Sequence, residues 1–330
     1  SVLERAVVEP SEQQASERRI TVVGAGVIGL TTAVVLQRDG HRVQVIAAER
    51  GDRTTSAVAA ALWFPFRADP PERVNAWARR SLDELTRIAR EHPEAGVDLL
   101  TCREAADETQ LPWWASSVPD LSLDPGPHPL GAPHSLRFTA PRIEPALHLP
   151  WLESQLEAPV RVERVQSLAA VEGDCVVNCT GLGARALTGD PELLALYGQV
   201  ALTEPGEIHP DVALGDERDE SALSYVIPRR HEIVIGGCAV PSPDDRSLTP
   251  DPELTDAMLQ RVRAAGLRPG RLLAVRAGLR PYRTTVRLER EGRVIHNYGH
   301  GGAGYTLAWG CADEVRSMLR HVDASARCRG

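Results

Sequence analysis

Ile20-Thr-Val-Val-Gly-Ala-Gly-Val-Ile-Gly-Leu30 decides how the rest of the chain is read. Residues 20–23 are apolar or β-branched, which favours a strand. They run directly into G-x-G-x-x-G at Gly24, Gly26 and Gly29. Gly24 permits a tight turn, Gly26 lets a pyrophosphate approach the backbone, and Gly29 lets helix and strand pack closely. The spacing predicts a helix over 30–39, closed by Gly40, whose N-terminal amides face a phosphate. Arg42-Val-Gln-Val-Ile-Ala47 reads as a second strand. Glu49 follows, twenty positions after Gly29, where a carboxylate can accept both ribose hydroxyls. Strand, glycine turn, helix, strand and acid in this order point to an adenine dinucleotide.

Size and composition narrow the remaining choices. A chain of 330 residues is long enough to bury a sizeable core. A formal net charge of −8 argues against a general nucleic-acid binder, which needs a basic face. No lysine is present, so Schiff-base chemistry at a lysine is excluded. The six cysteines (Cys102, Cys175, Cys179, Cys238, Cys311 and Cys328) form no C-x-x-C pair and no zinc-binding pattern with histidine. They read as reduced thiols, no metal is expected, and the expected location is cytoplasmic. No apolar run approaches the ~20 residues of a membrane span. Residues 1–17 lack a signal-peptide core and read as a mobile extension. The chain ends in Cys328-Arg-Gly330, which is no targeting tripeptide.

Further along, a polar turn at 51–56 leads into the small-residue run Ala57-Val-Ala-Ala-Ala-Leu62, suited to lie against a flat ligand. Val74, Trp77, Leu82, Leu85 and Ile88 recur at helical spacing over 72–91. Residues 111–145 read as loops and short strands, and 143–156 as a helix. Strands are expected at 160–166, 174–179, 222–228, 231–237, 272–279, 284–290 and 294–298. Asp251 with Pro252 behind it starts another helix, stopped at Gly266. Asn297-Tyr-Gly-His-Gly-Gly-Ala-Gly-Tyr-Thr306 is a second glycine-rich loop entering a helix, expected to begin near Thr306. Two such loops so far apart favour FAD over NAD, because FAD spans a whole domain.

Together these stretches resemble the D-amino-acid oxidase family of FAD enzymes. The matching pieces, in family order over about 19–320, are Val22-Val-Gly-Ala-Gly-Val-Ile-Gly-Leu30, Thr54-Thr-Ser-Ala-Val-Ala-Ala-Ala-Leu-Trp63, Val176-Val-Asn-Cys-Thr-Gly181, Ser224-Tyr-Val-Ile-Pro228, Gly278-Leu-Arg-Pro281, Val286-Arg-Leu-Glu-Arg290, and Asn297-Tyr-Gly-His-Gly-Gly302 through Trp309-Gly310. The resemblance implies an α/β protein with a discontinuous Rossmann-like FAD-binding domain (18–65, 140–190 and 270–330). An α+β substrate domain built on an antiparallel sheet (66–139 and 191–269) is inserted into it. Arg280 would grip a substrate carboxylate as a fork, Tyr225 would donate to the same carboxylate, and the Gly302 carbonyl would accept from the substrate amine. On the cofactor side the resemblance places Ala25, Gly26, Val27 and Ile28 in the first glycine loop. Glu49, Arg50 and Val165 fall on the adenosine half, and Thr55, Ser56, Ala61 and Leu62 along the middle. Gly278, Gly301, Gly302, Gly304, Tyr305 and Thr306 lie around the flavin. His300 reads as a loop residue, not a base.

Two departures from the family pattern carry information. Many members have a lid tyrosine four positions before the matched one, where this chain has Ser221. Members acting on acidic substrates carry an arginine and a histidine where this chain reads Gly236-Gly-Cys-Ala-Val240 and Phe64-Pro-Phe66. The expected substrates are therefore neutral or hydrophobic D-amino acids and oxygen, although Arg218, Arg229 and Arg230 keep D-aspartate open. Glycine or sarcosine oxidation is the other rival. A homodimer is compatible with the resemblance.

Overall fold

The computed structural model describes residues 16–65, 68–219, 222–242 and 248–327. The expectations placed on Phe66, Ser221, Cys328 and most of the N-terminal extension lie outside these residues. Strand β1 (Arg19–Val23) enters helix α1 (Val27–Arg38), and β2 (Arg42–Ala47) follows. The helix starts inside the glycine triplet, earlier than residue 30, with Gly26 as its N-cap. Next come the single turn α2 (Thr55–Val58), the long α3 (Pro71–Glu91) and β3 (Val97–Ala106). The middle of the chain holds β4 (Ser122–Asp124), β5 (His134–Ile143), α4 (Pro145–Ser154), β6 (Arg161–Val162), β7 (Cys175–Asn178) and α5 (Ala184–Thr188). Five strands then run consecutively: β8 (Leu194–Thr203), β9 (Val212–Asp216), β10 (Ser224–Pro228), β11 (Ile233–Gly236) and β12 (Val240–Ser242). Helix α6 (Pro252–Ala264), β13 (Leu272–Glu291), β14 (Val294–His300) and α7 (Gly304–Arg327) complete it.

The strands form one sheet in the order β4-β5-β3-β9-β10-β11-β8-β13-β14-β7-β1-β2-β6, with β12 also on β8. From β14 to β6 every pairing is parallel, the doubly wound pattern that places ligands at the carboxyl ends of the strands. Toward β4 the pairing is antiparallel except where β3 lies parallel to β9. Helix α7 packs against α1 and α3. Gly310 makes the latter approach possible, because a β-carbon there would collide with the Trp77 backbone. All five apolar positions read from the 72–91 periodicity are buried. Trp63 is fully buried too, and its indole donates to the Ala78 carbonyl at 2.9 Å, so it is a core residue. Asp251 caps α6 by accepting from the amides of Glu253 and Leu254. The five described cysteines are buried and unpaired. Among the described residues no helix is long and apolar enough to cross a membrane.

Five strands differ from the sequence reading. The candidates at 272–279 and 284–290 are one continuous strand, β13. Its amino-terminal part pairs with β8 and its carboxyl-terminal part with β14, so the proline at 281 marks a change of partner and not a break. The alternation at 160–166 yields only β6, because this is the sheet edge and just two residues meet β2. Strands β3, β8 and β9 carry no simple alternation. In β8 every residue after Leu194 is buried, as expected of a central strand covered on both faces.

His148 on α4 gives the fold an acid sensitivity. The ring is fully buried, its Nδ1 lies 2.9 Å from the Ala95 carbonyl, and burial pushes its pKa down to about 4. An unfolded chain protonates this ring below about pH 6.5 while the folded chain does not. Stability therefore falls as the pH drops from about 6.5 toward 4. Between pH 7 and pH 5 the wild type is expected to lose on the order of 2 kcal/mol more than His148→Leu, which has no group to titrate there. Urea midpoints at the two pH values check this; equal losses would remove His148 as the cause.

Candidate active site

The carboxyl end of β1 opens onto a cavity of about 850 Å³. Gly24 sits at φ +118°, where a side chain is strained, and a β-carbon on it would lie 2.7 Å from the Cys179 carbonyl carbon of the segment after β7. The turn is thereby pressed onto the sheet, and the first amides of α1 face the cavity. Ser56 stands opposite: its hydroxyl accepts from the Val27 amide at 2.9 Å, and its carbonyl accepts from the Tyr305 hydroxyl at 2.9 Å. Ser56 thus ties the first glycine loop to the second.

Nearly all the residues expected around a dinucleotide line this one cavity. Ala25, Gly26, Val27, Ile28, Glu49, Thr55, Ser56, Ala61, Leu62, Val165, Gly278, Gly301, Gly302, Gly304 and Tyr305 are in its wall, as are Tyr225 and Arg280. Arg50 and Thr306 are not. The Arg50 guanidinium turns to Glu153 at 2.6 Å, and Arg53 occupies the wall instead. Thr306 is buried, with its hydroxyl engaged by the backbone amide and carbonyl of Phe64. The resemblance places both at the cofactor, but the direction of their side chains takes them to Glu153 and Phe64. Phe64, from the stretch compared with the acidic-substrate members, lines it as well; Arg164, Glu104, Gly198, Leu214, Glu217 and Leu223 also line it, and the sequence carried no motif signal for them.

At the far end lie Arg280 and Tyr225. The Arg280 guanidinium rests on the bare backbone of Gly198, where a β-carbon would stand 2.5 Å from its Cζ, and donates to the Cys238 carbonyl at 2.6 Å. One donor is thus fixed to the protein and the rest of the planar fork is held in place. The Tyr225 ring lies on Gly236 and Gly237, close enough that a β-carbon on Gly237 would be 2.5 Å from the ring. Burial raises the Tyr225 phenol above its ordinary value, with the nearby Arg280 charge opposing, so the hydroxyl stays a donor near neutrality. His300 lines the same cavity. Its buried Nε2 has no protein partner, and burial lowers its pKa to about 3. Neutral near pH 7, and with Nε2 unpartnered among the described residues, it is a wall residue that an occupant can satisfy.

The residues present fit FAD. Two glycine loops, a carboxylate after β2, an orphaned ring nitrogen and one continuous cavity between them match a ligand with an adenosine end and a broad planar end. The fold and site define a flavin-binding oxidoreductase. The chain belongs to the family described as DAO, FAD dependent oxidoreductase, whose pattern matches residues 19–318. It is 42% identical over 315 residues to a D-amino-acid oxidase of Streptomyces coelicolor, covering 91% of this chain and 96% of that protein. It is also 32% identical over 331 residues to a human D-aspartate oxidase, covering 91% and 94%. Among solved structures, glycine oxidase from Geobacillus kaustophilus shares the fold with a TM-score of 0.74 at 16% identity, covering 92% of this chain and 95% of that one.

Proposed function

We propose that the chain oxidises neutral D-amino acids to 2-oxo acids with release of ammonia, using FAD. The single observation that carries this reading is the pairing of Arg280 and Tyr225 in the cavity that also holds both glycine loops. Arg280 and the Tyr225 hydroxyl take the α-carboxylate, and the Gly302 carbonyl accepts from the amine. These contacts fix two substituents of Cα, so only one enantiomer aims its Cα–H along the cavity. FAD, which the two glycine loops and Glu49 would hold, would supply the two-electron acceptor chemistry for that hydride, with oxygen as the final acceptor and hydrogen peroxide as its product. Catalysis by this chain is then orientation and exclusion of water, without a side-chain base.

The arginines that kept an acidic substrate open are committed elsewhere. Arg218 pairs with Asp216 and Asp107, Arg229 with Glu232, and Arg230 with Asp98. This supports neutral substrates over D-aspartate. We also propose a cytoplasmic location, which the unpaired cysteines support. Anaerobic mixing tests the function: the yellow flavin should bleach with D-alanine or D-valine and not with the L-enantiomers, and peroxide should appear in air. Bleaching by L-enantiomers would overturn the reading, and rejection of D-valine with turnover of glycine would replace it by glycine oxidation.

A further inference from the structure

Ala59, Ala60, Ala61 and Leu62 run along the cavity wall, and Ala61 stands at φ +59°. Among the described residues it is the one non-glycine position with a positive φ. There the β-carbon crowds the following carbonyl oxygen, so alanine keeps this conformation only where its neighbours impose it. On the carboxyl side the end of β5 imposes it. The Ile143 amide donates to the Ala61 carbonyl at 2.8 Å, and the Trp63 amide donates to the Pro141 carbonyl at 2.9 Å. On the amino side stands Arg229, in the turn from β10 to β11. Its Nη2 donates to the carbonyls of Ala59 at 2.9 Å and Ala60 at 3.4 Å, and its Nη1 donates to Glu232 at 3.0 Å. The side chain is 9% exposed, so this clamp is shielded from water. A trans peptide points its N–H away from its C=O. With these two carbonyls turned to Arg229, the amides of Ala60 and Ala61 turn the other way, and both residues line the cavity. Among the described residues no hydrogen bond engages either amide. Ala61 is buried, and a buried N–H calls for a partner.

We propose that Arg229 is a positioning residue for the flavin: it holds the bend at Ala59–Ala61 and so presents the Ala60 and Ala61 amides to an acceptor atom of bound FAD. This goes beyond the reaction proposed above, because it rests on FAD as the cofactor and not on which amino acid is oxidised. Arginine suits the task because one planar fork can hold two backbone carbonyls and a carboxylate together, which the point charge of a lysine does less well. The carbonyl bonds also polarise the same two peptide groups, making their N–H groups stronger donors. A merely structural Arg229, steadying its own turn through Glu232, would have no energetic link to Ala61. Glycine adopts the left-handed conformation without a β-carbon penalty, so Ala61→Gly makes the bend less dependent on the clamp.

FAD is titrated into apoprotein of the wild type, Arg229→Met, Ala61→Gly and the double variant, and followed by flavin fluorescence. The visible absorption bands of the bound flavin, which respond to hydrogen bonding, are recorded for each. Arg229→Met is expected to weaken FAD binding by roughly tenfold and to shift those bands. Ala61→Gly should improve affinity more in the Arg229→Met background than in the wild type, by about threefold, and return the bands toward their wild-type positions. An unchanged affinity in Arg229→Met overturns the proposal, as does an Ala61→Gly effect that is equal or smaller in that background. Arg229→Lys keeps the charge beside Glu232 and carries the same cycle if Arg229→Met does not fold. A loss that Ala61→Gly regains supports the proposal there too, and no loss, or a loss that is not regained, overturns it. If the wild type binds FAD and no D-amino acid bleaches it, the proposed reaction fails alone and the cycle still decides Arg229.

Discussion

Arg280→Ala is expected to lower kcat/KM for D-amino acids by roughly 10²–10⁴ while the protein keeps its flavin. The estimate follows from leaving a substrate carboxylate unpaired in a partly buried cavity, a loss of ~3–5 kcal/mol, at about 1.4 kcal/mol per factor of ten. Flavin retention is expected because the partners of the guanidinium, Gly198, the Cys238 carbonyl and Tyr225, belong to neither glycine loop. The measurement is peroxide release over a range of D-alanine, with flavin content read from visible absorbance. Activity within tenfold of wild type at full flavin content would remove Arg280 from the carboxylate.

Gly29→Ala acts on the other end of the cavity. A β-carbon on Gly29 would collide with the Gly24 carbonyl and stand 2.7 Å from its carbonyl carbon. Gly24 cannot retreat, because the Cys179 backbone lies directly behind it. The clash is resolved by opening the turn, which moves the first amides of α1 away from the cavity. Overpacking of this kind costs ~1–3 kcal/mol, so FAD affinity should fall by roughly 10–100-fold. Titrating FAD into apoprotein and following its fluorescence measures this directly. An affinity within threefold of wild type would mean that the turn does not set the cofactor site.

The glycine turns were legible because backbone, not side-chain direction, makes their contact, whereas Arg280 and Tyr225 came only with the family resemblance. Gly24, Gly26 and Gly29 announce themselves because no other residue fits the turn, and the second loop at 299–304 does so for the same reason. Glu104 stayed invisible: it sits in a stretch without a motif, and only strand register, through Gly215, brings it to the same cavity wall as Tyr225. Gly198 carries no motif signal, and its role of seating a guanidinium needs the pairing of β8 with β13 to be seen. Arg50 differs: the resemblance places it on the adenosine half, and in the structure its guanidinium pairs with Glu153 on α4. Helices α3 and α6 were read well because a one-sided apolar stripe and an N-cap are local signals. Strand β8, covered on both faces, has no such periodicity to read.

The long ribbon β13 has a consequence for how substrate and cofactor meet. Gly278, in the wall around the expected flavin, and Arg280, the proposed carboxylate clamp, stand two positions apart on it, and its length bridges the antiparallel and parallel portions of the sheet. The spacing between clamp and cofactor floor is therefore set by covalent geometry. Docking of one lobe on another need not align them, and motion elsewhere in the molecule can admit substrate without disturbing that alignment.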